Sequence, residues 1–243
     1  MPRFFAPSDA FSDGKIYIVG DDAHHIARSL RMAEGDALTV CDMHGCEHSC
    51  RLIKIRDEEC IAEILNSKQA DTEPPCLIAL FMAYPKGDKL ETVIQKSVEL
   101  GASRIIPFES ERCIKIPKSE KLERVLERYN RIATEAAKQC GRATLPVVEA
   151  PTTISRLKDR AGEFDLPLFC YEGDGTVSLK SALDRDGVKK ISAVVGCEGG
   201  FSEREAKMLI EAGFIPVNLG PRILRCETAP SYVLSAISYK FEL

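Results

Sequence analysis

The sequence lacks both a long apolar run and a signal for export. Its apolar segments are all far shorter than the roughly 20 residues that a membrane-spanning helix needs. The first residues, Met1–Phe5, lack the extended apolar core of a secretory signal. The 10 cysteines are scattered along the chain, which fits reduced thiols in a cytosolic protein better than a disulfide framework. We therefore expect a cytoplasmic protein that has no contact with a membrane.

An overall excess of basic residues is also lacking. The 243 residues carry 33 Lys and Arg against 37 Asp and Glu, a formal net charge of −4, which argues against general binding of nucleic acid. The charge is unevenly spread: residues 1–76 carry 8 basic and 14 acidic side chains, residues 77–150 carry 13 and 10, and residues 151–243 carry 12 and 13. A basic middle in an acidic protein predicts a local anionic partner.

One cluster of cysteines and histidines has the residue types of a zinc site but lacks the spacing. Cys41, Cys46 and Cys50 follow the pattern C-x4-C-x3-C, with His44 and His48 between them, and this pattern matches no common zinc finger. The cysteines adjoin strand-like segments on either side of a turn. We therefore predict small buried side chains near a hairpin and no metal site.

The first 70 residues are predicted to form a small β-barrel, because short strands at close spacing are typical of that fold. The strand-like runs are Ile16–Val19, Ala37–Cys41, Ser49–Ile55 and Cys60–Leu65. Asp21 and Asp22 are predicted to cap one brief helix that ends near Arg31. The segment Asn66–Pro75, which ends in two prolines, is predicted to be a linker.

Strand-like and helix-like segments alternate after the linker, which predicts an α/β domain with a mainly parallel sheet and helices on both faces. The predicted strands are Leu77–Ala83, Arg104–Phe108, Leu145–Val148, Pro167–Tyr171, Ile191–Gly196 and Phe214–Leu219. A long amphipathic helix is predicted from its buried apolar stripe, formed by Leu122, Val125, Leu126, Tyr129, Ile132, Ala133, Ala136 and Ala137. Ser202 and Glu205 have the spacing of a capping box and predict a helix start.

Two glycine-bearing turns, Val194–Glu203 and Leu219–Ala229, are predicted to hold the functional site. Each turn leaves an apolar run and enters a helix-like segment, and glycine lets backbone approach a ligand closely. The first turn has no lysine and carries Glu198, so it is a poor cradle for phosphate, and it matches neither G-x-G-x-x-G nor a Walker loop. A ligand with cationic groups and ribose hydroxyls, such as S-adenosyl-L-methionine, suits it better. The alternative is that both are ordinary turns with solvated acidic side chains.

Motifs along nearly the whole chain carry a resemblance to a known family. They include Arg3-Phe4-Phe5, His24-His25, Leu30-Arg31, Lys86-Gly87-Asp88-Lys89, Gln95–Gly101, Glu109–Arg112, Glu135-Ala136-Ala137 with Gln139 and Arg142, and L-G-x-R-I-L-R-x-E-T-A from Leu219 to Ala229. On these motifs the chain resembles the RsmE family of SPOUT-class methyltransferases, which methylate N3 of a uridine in 16S ribosomal RNA. It departs from the family at Cys197, where proline is usual, and this loosens the backbone restraint of the turn.

The resemblance implies a fold, a cofactor and partners. The fold is a C-terminal SPOUT α/β trefoil-knot domain over residues 77–243, preceded by a PUA-like, RNA-binding β-barrel over residues 1–70. The cofactor is S-adenosyl-L-methionine, and the expected partners are 16S rRNA of the small ribosomal subunit and a second copy of the chain. The residues expected at the cofactor are Tyr171, Glu172, Val195, Gly196, Glu198, Gly199, Leu219, Gly220, Ile223 and Leu224.

Methylation at N3 requires loss of a proton from uracil and builds negative charge on the base. We predict that Arg225 stabilises this charge and that Glu227 accepts the proton; alternatively, the two side chains form a pair that braces the loop. RNA affinity is largely phosphate neutralisation, so cationic side chains dominate the predicted RNA contacts. These are Arg3, His25, Arg28, Arg31, Lys86, Lys89, Lys96, Arg112 and Arg142, although His25 fits a core histidine equally well.

Two other functions remain open at this point. A nicotinamide-dependent dehydrogenase on a doubly wound sheet would be expected to carry G-x-G-x-x-G near its first strand, which this chain does not. A non-catalytic RNA-binding protein would have a PUA-like module and inert C-terminal loops. Binding of S-adenosyl-L-methionine distinguishes the methyltransferase from both.

Overall fold

A computed structural model describes residues 1–114, 117 and 119–243. The chain forms two compact units. Residues 1–73 and 137–145 make up the first, which we call the N-terminal unit, and residues 74–136 and 146–243 make up the C-terminal unit. The membership of residues 137–145 in the N-terminal unit has no signal in the sequence, because these residues follow directly on a helical pattern.

A six-stranded mixed sheet forms the N-terminal unit. Its strands are β1 (Arg3–Phe5), β2 (Phe11–Ser12), β3 (Lys15–Val19), β4 (Ala37–Cys41), β5 (Cys46–Ile55) and β6 (Glu59–Gln69). The order is β1-β4-β5-β6-β3-β2, and only β1 with β4 is parallel. Over the described residues, the edge strands β1 and β2 do not pair with each other. The predicted PUA-like fold is confirmed, as an open half-barrel and not as a closed barrel.

The sequence interpretation of this unit needs two corrections. Helix α1 (Asp21–His24), which continues into a wider helical turn over His25–Ser29, has Gly20 at its N-cap, and no side chain caps it. Asp21 and Asp22 lie inside the first turn, because Gly20 with φ 66° makes the entry bend. The predicted linker is also shorter, since the segment 66–69 pairs with β5 as the end of β6.

Eight strands, all paired in parallel, form the sheet of the C-terminal unit. They are β7 (Leu77–Ala83), β8 (Arg104–Glu109), β9 (Val147–Val148), β10 (Thr152–Thr153), β11 (Leu166–Cys170), β12 (Val177–Ser178), β13 (Lys190–Val195) and β14 (Ile215–Asn218). The order is β10-β8-β7-β13-β11-β14-β12, with β9 also paired to β8. The mainly parallel α/β fold predicted for a SPOUT domain is confirmed.

Helices cover both faces of this sheet. They are α2 (Lys89–Glu99), α3 (Leu122–Cys140), α4 (Ile154–Leu157), α5 (Leu179–Leu183), α6 (Glu203–Glu211) and α7 (Thr228–Phe241). Ala79 and Phe81 of β7 join one core with α4 and α6. Alternation along the strand turns Ile78 and Leu80, also fully buried, to the other face. Each face of β7 therefore lies in a core.

The long helix α3 is only partly as predicted. Ala133, Ala136 and Ala137 are buried, as expected for its apolar stripe. In the first turns, by contrast, Leu122 and Tyr129 are half-buried, as are the other members of the stripe there. Among the described residues, no helix has the length and apolar character to cross a bilayer.

Candidate functional site

A cleft of about 810 Å³ opens in the C-terminal unit at the ends of three adjacent strands, β13, β11 and β14. Parallel strands bring their carboxyl ends to one edge of a sheet, and loops at that edge form the usual ligand crevice of α/β folds. All ten residues predicted at the cofactor line this cleft, together with Arg225 and Glu227. The two turns singled out in the sequence therefore meet in space, joined by the Tyr171–Glu172 loop.

The loop after β13 is held by close packing and by a helix cap. Arg112 donates from Nη1 to the carbonyl of Gly199 at 2.7 Å, and a Cβ on Gly199 would lie only 2.9 Å from the Arg112 Cβ. The predicted capping box forms: Ser202 Oγ accepts from the Glu205 amide at 3.2 Å, and the Glu205 carboxylate accepts from the Ser202 amide at 3.0 Å. Glu205 is fully buried and also accepts from the amide of Glu111. The backbone of this loop is thus fixed on both sides.

Glu198 has internal partners at both of its carboxylate oxygens. The Lys86 amide lies 3.2 Å from each oxygen, and Lys89 Nζ donates to Oε1 at 3.0 Å. Partial burial raises the pKa of Glu198, but hydrogen bonds from its own amide, Lys89 and Lys86 outweigh this and hold the pKa below its usual range. These contacts indicate that the Glu198 carboxylate ties the loop after β13 to the start of α2. They argue against the role that the sequence suggested for it, a direct counter-charge to a cationic ligand.

Glu227 faces the same cleft with a lowered pKa. Hydrogen bonds from its own amide, from the Cys226 thiol at 3.2 Å and from Lys89 at 3.1 Å favour the ionised carboxylate. Burial raises the pKa of Cys226 to about 12, so this thiol stays protonated and can donate. Arg225 is exposed in the cleft, and its carbonyl accepts from the amides of Thr228 and Ala229 at the start of α7.

Aromatic rings form the inner wall next to the Tyr171 loop. The ring of Tyr171 stacks on Phe169 with centroids 5.1 Å apart, and Phe169 meets Phe201 edge-on at 4.9 Å. A Cβ at Gly173 would lie within 2.5 Å of the Tyr171 ring, so only glycine leaves room for the ring in this position. Asn218 accepts from the Gly220 amide at 3.3 Å and shapes the second turn. No individual role was predicted for Phe201, which lies within the first glycine-bearing turn, or for Asn218, which precedes the second.

The predicted RNA-binding residues are divided between the two units. Lys89 and Arg112 line the cleft, and Lys96 pairs with Glu99 on α2. In the N-terminal unit, Arg3 is paired with Glu47, and the Arg142 guanidinium is buried against Glu73. RNA contact by these two arginines would require their ion pairs to open.

The remaining predicted RNA contacts of the N-terminal unit are exposed. Arg28 pairs with Asp57, and Arg31 is exposed at a backbone φ of 51°. His25 is also exposed and meets Phe4 edge-on at 6.3 Å, so the alternative of a core histidine is wrong. These three side chains are accessible to a partner.

The cysteine and histidine cluster lies around the hairpin of β4 and β5. Cys41 and Cys50 are buried, and Cys50 belongs to the core of the N-terminal unit, as the sequence predicted. Cys46 is half-exposed at the turn. Each histidine has a hydroxyl partner, His44 with Ser8 and His48 with Ser67. The described part of the chain contains no group of three metal-ligating side chains in binding geometry.

Comparison with known proteins decides the family. Residues 72–238 match the family described as an RNA methyltransferase domain, and residues 18–65 match the RNA methyltransferase PUA domain. The ribosomal RNA small subunit methyltransferase E of Bacillus subtilis is 38% identical over 231 residues, which cover 93% of this chain and 90% of the relative. This chain belongs to the ribosomal RNA small subunit methyltransferase E family.

Further members of the methyltransferase E family agree in sequence and in structure. The Synechocystis member is 35% identical over 242 residues, covering 99% of this chain and 78% of the relative. A crystal structure of the Neisseria gonorrhoeae member bound to S-adenosyl methionine matches with a TM-score of 0.88 and 32% identity, over 98% of this chain and 97% of that one. The similarity therefore extends over both units of this methyltransferase.

Proposed function

We propose that this protein transfers the methyl group of S-adenosyl-L-methionine to N3 of a uridine in 16S rRNA of the small ribosomal subunit. The observation that carries the proposal is the cleft in which three strand-end loops meet beside Arg225 and Glu227. The names of the relatives support a ribosomal RNA substrate, and the related structure with bound S-adenosyl methionine supports the donor. The uridine N3 position is proposed from the resemblance in the sequence motifs.

The residues of the cleft fit the proposed donor. Its volume of about 810 Å³ lies in the range of small-molecule sites. Glycines in two of the loops let main chain approach a ligand, and Glu172 is an exposed carboxylate at the mouth of the third. When bound, the donor supplies an electrophilic methyl group on a sulfonium. We propose that it is held by Tyr171, Glu172, Val195, Gly196, Glu198, Gly199, Leu219, Gly220, Ile223 and Leu224, with Glu198 acting through the main chain of its loop because its carboxylate already pairs with Lys89.

Two side chains would assist the transfer. Glu227 has a lowered pKa, so its carboxylate is ionised at neutral pH and can accept the N3 proton. Arg225 is exposed toward the cleft, where its guanidinium can approach the uracil oxygens and stabilise the negative charge that grows as the proton leaves. The alternative of a direct Arg225–Glu227 pair is not favoured, because the ion pair of Glu227 is made by Lys89.

We infer that RNA binding is shared between the two units. The match of residues 18–65 to a PUA domain supports an RNA-binding role for residues 1–70, with residues 77–243 as the methyltransferase domain. Arg28 and Arg31 are the exposed cations of the first unit that we propose for phosphate contacts, and Lys86 and Lys96 extend the set in the second. Phosphate contacts of this kind provide affinity and orientation but not base specificity.

We further propose that the working form is a homodimer. Ile223, in a cofactor loop, is 84% exposed, and Tyr232 and Tyr239 of α7 are exposed at 43% and 75%. Tyr232 and Tyr239 are seven residues apart and therefore share one face of α7. Exposed apolar side chains on one face are typical of surfaces that another protein covers. Sedimentation equilibrium would test the proposal, and a monomer at micromolar concentration would contradict it.

Methyl transfer itself can be tested with labelled donor. Small ribosomal subunits and free 16S rRNA, both from a strain that lacks the modification, would be incubated with radiolabelled S-adenosyl-L-methionine and the protein. We expect label in 16S rRNA and a modification at N3 of one uridine when the labelled nucleotide is mapped by mass spectrometry. Donor binding without transfer to either RNA would contradict the proposed function, as would label on a different base atom.

A further inference from the structure

Lys89, the first residue of α2, connects two loops of the cleft that are far apart in the sequence. Its Nζ lies 3.0 Å from Glu198 Oε1, in the loop after β13, and 3.1 Å from Glu227 Oε2, just before α7. Cys226 Sγ lies 3.9 Å from the same nitrogen. A lysine ammonium has three N–H donors, so these three contacts can use all of them. This geometry argues against the phosphate contact predicted for Lys89 from the sequence.

We propose that Lys89 is a positioning residue of the methyl-transfer site. Its ammonium holds the Glu227 carboxylate in the cleft and ties it to the cofactor loop through Glu198. The inference rests on the proposed function, since it gives Lys89 the task of presenting the proton acceptor. Lys89 itself transfers no proton.

The charge of Lys89 explains why one carboxylate can serve as an acceptor beside another. Two carboxylates that share a site raise each other's pKa, whereas a cation within about 4–6 Å lowers it. The ammonium between Glu198 and Glu227 offsets their repulsion, and the pKa values of both acids are lowered while that of Lys89 is raised. Both acids therefore stay ionised to a lower pH than an ordinary glutamate, whose pKa is about 4.3.

The groups that face Glu227 come from three segments. Lys89 of α2 and Cys226, the preceding residue, contact the Glu227 carboxylate directly. Glu198, in the loop after β13, is brought near Glu227 by their shared contact with Lys89. Cys226 is neutral at physiological pH because its pKa is raised to about 12. Removal of the Lys89 charge would leave Glu227 with its own amide and the Cys226 thiol as donors, opposite an uncompensated Glu198. The pKa of Glu227 must then rise.

The first test measures this pKa directly. Protein labelled with carbon-13 at glutamate side chains would be titrated by NMR, with the Glu227 signal assigned from its loss in Glu227→Gln. We expect Lys89→Met to raise the Glu227 pKa by about one unit and Lys89→Arg to keep it near the wild-type value. Lys207→Met on α6, which removes an exposed lysine paired with Glu211 outside the cleft, is the matched control. An unchanged Glu227 pKa in Lys89→Met would overturn the proposal.

The second test measures whether loss of the Lys89 charge changes the rate and the pH dependence of methyl transfer. We expect Lys89→Met to lower kcat by about tenfold or more, because the Glu227 carboxylate loses the contact that holds it in place for the N3 proton. The pH below which kcat/KM declines should move upward with the Glu227 pKa, because the acceptor is then protonated over a wider range. Lys89→Arg should keep kcat and the pH profile of kcat/KM close to those of the wild type. A loss of kcat with an unshifted pH profile would mean that Lys89 only supports the fold, and would overturn the proposal.

Two further measurements distinguish a failure of the Lys89 proposal from misfolding of the variant and from a failure of the proposed function. Thermal unfolding would verify that Lys89→Met is folded; if it is not, Lys89→Gln, which keeps a polar side chain without the charge, would replace it in both tests. Wild-type protein that binds the donor but methylates no rRNA would contradict the proposed function. In that case, the NMR titration still decides whether Lys89 controls the ionisation of Glu227.

Discussion

Gly199 is a position at which a single methyl group should disturb the cofactor loop. A Cβ built there lies 2.9 Å from Cβ and 3.2 Å from Cδ of Arg112. The Arg112 Cβ is fixed by its backbone and cannot rotate away, so Gly199→Ala must displace one of the two loops. We expect the Kd for S-adenosyl-L-methionine to rise about tenfold, which corresponds to about 1.4 kcal/mol, as measured by isothermal titration calorimetry.

Gly162 offers a matched control for this substitution. It has no positive φ, and apart from its own residue, its chain neighbours and the backbone of its own helix, no described atom lies within 4 Å of a Cβ built on it. Gly162→Ala should therefore bind the donor like the wild type. Equal Kd values for the two variants would show that the loop tolerates the shift and that its backbone position is not critical for the donor.

Arg225 is expected to act on the transition state and not on donor binding. Its carbonyl, not its side chain, accepts the first amides of α7, so Arg225→Ala should leave the helix start intact. Loss of one group that stabilises developing charge costs about 100-fold in kcat. We expect a loss of this size in kcat while the calorimetric Kd for the donor stays within about threefold. An equal loss in donor affinity and catalysis would contradict the stabilising role.

Residue types and motif spacing were sufficient to predict which loops line the cleft. They did not predict the ion pairs that connect these loops. Glycine turns and a Ser–Glu cap are local signals, and local geometry follows from nearby residues. The link from Lys89 to Glu198 and Glu227 spans more than 100 residues of sequence, and only the order of the parallel strands brings it together. Arg142 is a second example: the sequence predicted that it contacts RNA, yet its side chain is buried against Glu73.

Among the elements, six of the eight strands described in the C-terminal unit were predicted to within one or two residues, because most of them form short, continuous apolar runs. The two-residue strands β10 and β12 were not predicted. The exposed end of β6 was missed, since residues 66–69 are polar and their pairing with β5 depends on a partner strand. The first turns of α3 were predicted to be buried but are half-buried, because their burial also depends on a partner that the sequence does not reveal. An apolar stripe indicates which face can be buried but not what covers it.

The Glu73 carboxylate, in the segment after β6, is expected to stabilise the N-terminal unit through its contacts with residues 142–144. Glu73 accepts from Arg142 Nη2 at 2.7 Å and from the amides of Ala143 and Thr144 at 2.9 and 3.1 Å. Burial raises the pKa of Glu73, but these donors outweigh burial and lower it. Glu73→Gln removes a charged partner of the buried Arg142 guanidinium, so we expect a loss of about 2 kcal/mol in the free energy of unfolding at pH 7.

The pH dependence of this loss follows from the sign of the shift. A carboxylate with a lowered folded-state pKa stabilises the fold above its ordinary pKa of about 4.3 and loses that contribution as the pH falls through the lower folded value. The difference between wild type and Glu73→Gln in urea unfolding, followed by circular dichroism, should therefore shrink below about pH 4. Glu63→Gln, which breaks an exposed pair with Arg51, should cost at most about 0.5 kcal/mol. Equal losses in the two variants would rule out this stabilising role of Glu73.

At the scale of the whole molecule, an acidic protein is proposed to bind an acidic polymer. Affinity for RNA must then come from local groups of cations, since the formal net charge of −4 repels RNA at long range. Arg28 and Arg31 are such a group in the N-terminal unit, on exposed positions close together in sequence. The Arg28 guanidinium already forms an ion pair with Asp57. A phosphate would have to compete with that carboxylate.

The salt dependence of binding measures how many phosphates these arginines neutralise. Each contact to single-stranded RNA contributes about 0.7 to the slope of log affinity against log salt concentration. Replacement of Arg28 and Arg31 by Gln should weaken binding to the small-subunit RNA and reduce the slope by about 1.4, measured by filter binding at several salt concentrations. Asp57→Asn removes the competing carboxylate and should raise the affinity. The double substitution Lys158→Gln and Lys207→Gln removes the same charge at two positions that are not among the proposed RNA contacts. An equal change of slope in that variant would assign the effect to net charge and not to contacts made by Arg28 and Arg31.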